Sequence, residues 1–158
     1  MDTSITIIGL VLSFLIVIPI LYSIRSNSLN KSKIIAIKNQ YNQNGHFNFD
    51  VTETLNKKVL AMDDKNKGFL MMDFNPKSES NTFINLNDVQ SCKLAVNKES
   101  SSEIINQIDL EFHYKESKKT EQVPFYKIEN DQMGQVCLYE DHQLAKKWKT
   151  LIDSCISK

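Results

Sequence analysis

The residues able to do chemistry are few, and their spacing argues against a shared task. His46, His113 and His142 lie far apart, and none has a second His or Cys at metal-ligand spacing. Cys92, Cys137 and Cys155 carry no local signature of a nucleophile paired with a base. Asp63 and Asp64 are adjacent, but neighbours on a strand face opposite ways and do not converge as an acid–base pair. At a turn such carboxylates instead fix backbone geometry. No P-loop, GxGxxG, GxSxG or EF-hand pattern occurs, and four glycines leave little material for a phosphate-cradling loop. The expectation is a protein that is not an enzyme, with no catalytic residues, no metal and no cofactor.

The thiols and the first residues bear on location. Three widely spaced cysteines without a C-x-x-C do not form a disulfide framework and suit a reducing compartment. Ile5 to Ile24 contains no charged side chain. Twenty residues at about 1.5 Å each match the bilayer hydrocarbon thickness. The run lacks a basic residue before it and a small-x-small cleavage site after it, so it reads as a retained anchor and not as a secretory signal. Arg25, Lys31, Lys33 and Lys38 follow the span, whereas only Asp2 and the α-amine precede it. The positive-inside rule then puts the N-terminus outside and the C-terminal domain in the cytoplasm, on a single-pass protein of the cell (inner) membrane.

The elements that would hold any site come next. Residues 25–45 form a polar and basic connector, partly helical, with Ile34, Ile37 and Tyr41 at helical spacing and Asn44-Gly45 as a stop. From His46 the period becomes two. "IDLEFHYK" places Ile108, Leu110, Phe112 and Tyr114 on a buried face and Asp109, Glu111, His113 and Lys115 on a wet one. "KVLAMDDKNKGFLMMDF" reads as two strands about a turn in which Gly68 takes positive φ. "TFINL", "SCKLAV" and "QVPFYKI" are further strands, and Pro124 puts the last at an edge or a bulge. Asp141 is the expected N-cap of a final helix, with Leu144, Trp148, Leu151, Ile152 and Cys155 as one apolar stripe. The organisation is therefore a tail over 1–4, a transmembrane helix over 5–24, the connector over 25–45 and a folded domain over 46–158. Strands first and one helix last give an α+β, mainly antiparallel domain.

The strings "VLAMDDKNKGFLMM", "FINLNDVQSCKL", "IDLEFHY", "VPFY" and "AKKWKTLI" carry a resemblance. In order and pattern, about Phe47 to Ser157 resembles the pleckstrin-homology-like (PH-like) cytoplasmic domains of small, uncharacterised membrane-anchored bacterial proteins. The resemblance implies a bent β-sandwich or barrel, one end of which is capped by the C-terminal helix, with Trp148 packed into the core among Leu144, Leu151 and Ile152.

Charge limits the partners. From His46 onward there are 15 Lys and no Arg against 18 acidic residues, a formal net charge of −3. Phosphate sites favour Arg forks or a positive field, so neither phosphoinositide nor nucleic-acid binding is expected. Phe125 and Tyr126 are candidates for an exposed aromatic partner-binding patch on an edge strand. The expected function is a membrane-anchored PH-like module that docks a protein partner or a second copy. The alternative is anionic-lipid sensing by Lys31, Lys33, Lys38 and the first hairpin, with Lys57, Lys58, Lys65 and Lys67, and the third reading is an enzyme whose site no motif announces.

Overall fold

The computed structural model describes residues 31–42, 44–99, 103–116, 119–131 and 135–157. The tail 1–4, the expected span 5–24 and connector residues 25–30 lie outside the described residues. Among the described residues, no helix is long and apolar enough to cross a membrane. The chain divides between Asn39 and Gln40, and the unit Gln40–Lys158 carries both sheets and the terminal helix.

Residues 31–41 are helical (α1). The helix stops where expected, because Asn44 (φ 60°) and Gly45 (φ 90°) adopt the left-handed backbone that ends a helix. Four antiparallel strands follow in the order β1(Val51–Leu55), β2(Lys58–Asp63), β3(Gly68–Asp73) and β4(Ser80–Asn85). After a 3-10 turn at Leu86–Asp88, a second antiparallel sheet has β5(Val89–Lys98), β6(Ile105–Tyr114) and β7(Thr120–Lys127). The C-terminal helix is α2(Leu138–Ile156). The fold is α+β, with two antiparallel sheets and a terminal helix.

Period-two patterning explains the core. Leu60, Met62, Phe69, Met71 and Ile84 from the first sheet meet Ile108, Leu110, Phe112 and Val123 from the second. The α2 stripe completes this cluster with Leu144, Ala145, Trp148, Ile152 and Cys155, while Leu151 packs half-buried against it. Trp148 is fully buried; its ring lies 5.7 Å from Phe69, and its Nε1 donates to Glu53 Oε2 at 2.7 Å. The largest side chain thus ties the helix to both β1 and β3.

The first sheet departs from the one-dry-face expectation. Every residue of β2 and β3 is buried, including Val59, Ala61, Leu70 and Met72, which point away from the core cluster. Phe83 sits beside Leu70 on this outer face, and the rings of Tyr41, Phe47 and Phe49 gather around it at 5.7, 5.0 and 6.2 Å. The segment before β1 is therefore a strap laid over the sheet. It explains why "KVLAM" and "GFLMM" are near-continuous apolar runs, as strands covered on both faces must be.

Gly68 serves this strap and not the turn. The positive φ belongs to Lys67 (58°), whereas a Cβ on Gly68 would lie 2.6 Å from Phe47 Cδ1. Gly68→Ala is expected to push Phe47 off the sheet and to cost about 1–3 kcal/mol in urea unfolding, as overpacking does. The Asp63 carboxylate locks the same corner, accepting from Asn48 N at 2.7 Å, Lys65 N at 2.9 Å, Asn66 N at 3.0 Å and Asn66 Nδ2 at 2.8 Å. Burial raises its pKa, but these hydrogen bonds from Asn48, Asn66 and Lys65 outweigh that and hold it below the usual carboxylate value. A depressed folded-state pKa contributes stability that is complete above the unfolded value, about 3.9, and is lost as pH falls through the folded one. The destabilisation of Asp63→Asn relative to the parent is therefore expected to be constant from pH 6 to 8 and to shrink below about pH 4, read by denaturant unfolding across pH.

Two further positions differ from expectation. Asp109 alternates onto the expected wet face of β6 yet is fully buried, and Gln107 Nε2 and Asn97 Nδ2 donate to it at 2.7 and 3.2 Å. Flanking carboxamides satisfy it, and burial raises its pKa. The helix begins at Leu138 with Cys137 at its cap, whose N–H donates to Asp131 Oδ2 at 2.9 Å. Asp141 is not the N-cap. It lies inside the first turn and forms a buried ion pair.

Candidate functional site

Three connections meet at the N-terminal end of α2. The first is the β1–β2 turn, where Asn56 (φ 47°) and Lys57 (φ 64°) form the two-residue, doubly left-handed hairpin that matches strand twist. The second is the β3–β4 loop, shaped by Asp73 Oδ1 accepting from Asn75 N at 2.8 Å and Asn75 Oδ1 accepting from Lys77 N at 3.2 Å. The third links β7 to α2 through Asn130, Asp131 and Cys137. Between them lies an open cleft of about 380 Å³, with Pro76 and Val136 among its walls.

A narrower recess of about 40 Å³ adjoins the cleft and shares Asn56, Asn75, Asn130, Asp131 and Cys137 with it. It is also lined by Lys58, Tyr126, Lys127 and Asp141. Lys58 Nζ donates to Asp141 Oδ2 at 2.9 Å, and Asn56 Nδ2 donates to Asp141 Oδ1 at 3.0 Å. Burial pushes the Asp141 pKa up, and Lys58 and Asn56 only partly offset the shift. Cys137 keeps its proton, because burial and the nearby Asp131 and Asp141 charges raise its pKa. The Cys92 thiol is pushed up to about 12, chiefly by burial. Neither arrangement produces a thiolate nucleophile. Among the described residues, no group of three or more His, Cys, Asp or Glu could hold a metal.

A chain of hydrogen bonds fixes Asn130. Ser78 Oγ donates its one proton to Asp73 Oδ2 at 2.9 Å, so it must accept from Asn130 Nδ2 at 2.8 Å. Asn130 Oδ1 is then the free end of the carboxamide, buried and without a donor. Tyr126 OH is also buried, with the Gln135 backbone N–H as the neighbour that partly opposes the rise in its pKa. Burial, then the Asp131 charge, raises its pKa, so the phenol remains a proton donor.

The sequence candidates are redistributed. Phe125 and Tyr126 do not form an exposed patch: they are 0% and 2% exposed. The reason is a bulge. Ile108 pairs with Tyr126 and Asp109 with Pro124, so Phe125 is the extra residue and both rings turn inward. Pro124 thus lies on a strand that is both an edge and bulged. The first-hairpin lysines do not converge either. Lys57 and Lys58 precede β2 or open it, Lys65 and Lys67 follow it, and six strand residues span about 17 Å between them. Lys58 is in addition committed to Asp141. His113 Nδ1 lies 3.2 Å from Thr120 Oγ1 on a half-exposed strand position. The cleft itself was missed, because its walls come from three connections that patterning reads only as turns. No family model, curated protein or solved structure matches the chain.

Proposed function

We propose that the chain is a non-enzymatic, single-pass membrane protein whose PH-like domain docks a protein partner or a second copy at the cytoplasmic face. The preformed cleft at the N-terminal end of α2 carries this reading. It is concave, part apolar and part carboxamide-lined, and it sits on turns held by hydrogen bonds and a buried ion pair. Such a surface suits another protein better than a chemical step. The two antiparallel sheets and the buried Trp148 support the PH-like assignment, and the Ile5–Ile24 run supports the anchor. Anionic-lipid sensing is the second reading, and the separation of Lys57 from Lys65 and Lys67 disfavours it.

The test places a photo-crosslinking residue at Lys57, on the cleft rim, in the full chain in its own cells. A discrete protein adduct is the expected result. Adducts to lipid alone, together with salt-sensitive binding to anionic vesicles, would overturn docking in favour of lipid sensing.

A further inference from the structure

Asn44 and Gly45 are the only Asn-Gly dipeptide in the chain. Both are exposed, in the turn between α1 and the strap. An asparagine can lose its side-chain amide to attack by the next backbone nitrogen, and a following glycine hinders that attack least because it has no side chain. The reaction needs a carboxamide that is free to move and a nitrogen it can reach. Other turn asparagines lack the first. Asn56, Asn66, Asn87 and Asn130 are each tied down through a donating Nδ2. Among the described residues, no hydrogen bond holds the Asn44 carboxamide. The second condition is met as well, because nothing lies within 4 Å of where a Gly45 Cβ would be.

The step balances with water as its only co-reactant. Gly45 N bonds to Asn44 Cγ, the Cγ–Nδ2 bond breaks, and the side-chain nitrogen leaves as ammonia with the proton of the Gly45 amide. Water then opens the five-membered imide. Attack at Cγ gives aspartate on an ordinary backbone. Attack at the main-chain carbonyl breaks the original peptide bond and leaves the chain running through the side chain, as isoaspartate. That product adds one methylene to the backbone and one negative charge.

Its place in the fold gives the change a consequence. Phe47 N donates to Asn42 O at 3.1 Å across this turn. The Phe47 ring is the one that covers Gly68 and meets Phe83 at 5.0 Å. Left-handed backbone at Asn44 (φ 60°) and Gly45 (φ 90°) shapes the turn. A methylene inserted between Asn42 and Phe47 takes the ends of that hydrogen bond out of register. Closing the imide also rotates the Asn44–Gly45 peptide, so the reaction runs through an opened turn and the hold on Phe47 limits its rate. We propose that Asn44-Gly45 is a self-modification site at which the chain forms isoaspartate, and that this product unlatches the strap from the first sheet.

The test ages the full chain in detergent micelles at pH 8, digests it with trypsin and compares the peptide spanning 39–57 with synthetic asparaginyl, aspartyl and isoaspartyl standards. Isoaspartate is expected at Asn44, in excess of aspartate, while Asn39, Asn42, Asn48 and Asn56 of the same peptide stay intact. Gly68→Ala, which pushes Phe47 off the sheet, is expected to raise the rate at Asn44 about 5–30-fold, as a modest loss of stability raises an opened population. Amide hydrogen exchange at Phe47 and Asn48, read by NMR, is expected to be at least about tenfold faster in the isoaspartyl form than in the parent. Asn44→Asp carries the charge on an ordinary backbone that tolerates the left-handed region, and should exchange within about twofold of the parent. An Asn44 that outlasts its four neighbours, or that yields aspartate alone, overturns the site. Unchanged exchange in the isoaspartyl form, or a rate that Gly68→Ala leaves unaltered, overturns the unlatching. Equal acceleration in Asn44→Asp assigns the effect to charge and overturns the added methylene as its cause.

Discussion

Trp148→Ala is expected to lower the unfolding free energy of the domain by about 3–5 kcal/mol, the range for removing a fully buried large aromatic. Three losses act together. The indole ring leaves a void among Phe69 and the rest of the α2 stripe, at a site with no exposed surface. Its Nε1 stops donating to Glu53, which then keeps only the exposed Lys147, at 2.8 Å. The helix also loses the side chain that reaches both β1 and β3. Single domains are stable by about 5–15 kcal/mol, so the change removes a large share of the total. The midpoint of a thermal melt followed by circular dichroism should fall by more than about 10 °C. Glu53→Gln separates the contributions. It keeps the ring and an acceptor but loses the charge, and should cost about 1 kcal/mol. A Trp148→Ala domain that melts within a few degrees of the parent would mean that α2 is not a structural cap.

The core of this domain is legible in sequence because its patterns are local. Leu144, Trp148 and Ile152 recur at helical spacing, and the alternation through Ile108, Leu110 and Phe112 names the inner face of β6. What patterning misses is set by groups far apart in the chain. Asp141 looks like a cap because Asp is a frequent N-cap, but a lysine 83 residues away captures its carboxylate. Phe125 and Tyr126 look like neighbours on opposite faces until one bulge turns both inward. Gly68 looks like a turn glycine, yet the ring of Phe47 decides it. The cleft follows the same rule: Asn56, Asn75 and Asn130 read as turn residues, and only the fold brings them to one wall.

Breaking the Lys58–Asp141 pair by changing one partner is expected to cost about 3–5 kcal/mol, and removing both should cost little or nothing. The two side chains are 11% and 3% exposed, so either charge left alone has no water to replace its partner. Asp141→Leu strands the Lys58 ammonium. Lys58→Met strands the Asp141 carboxylate, with Asn56 Nδ2 as its remaining donor at 3.0 Å. The double variant Lys58→Met/Asp141→Leu fills the space with apolar atoms and leaves no charge to desolvate. A urea-unfolding cycle should therefore give a coupling of several kcal/mol between the two sites. pH supplies an independent sign. In Lys58→Met the Asp141 pKa rises further above its unfolded value, so the penalty grows as pH climbs through that window. The variant should lie closer to the parent at pH 4 than at pH 7. A double variant as unstable as either single one would show that the pair is worth more than its apolar replacement. If instead it folds well but no longer crosslinks to a partner through Lys57, the pair holds the recess in shape for docking while contributing little to folding.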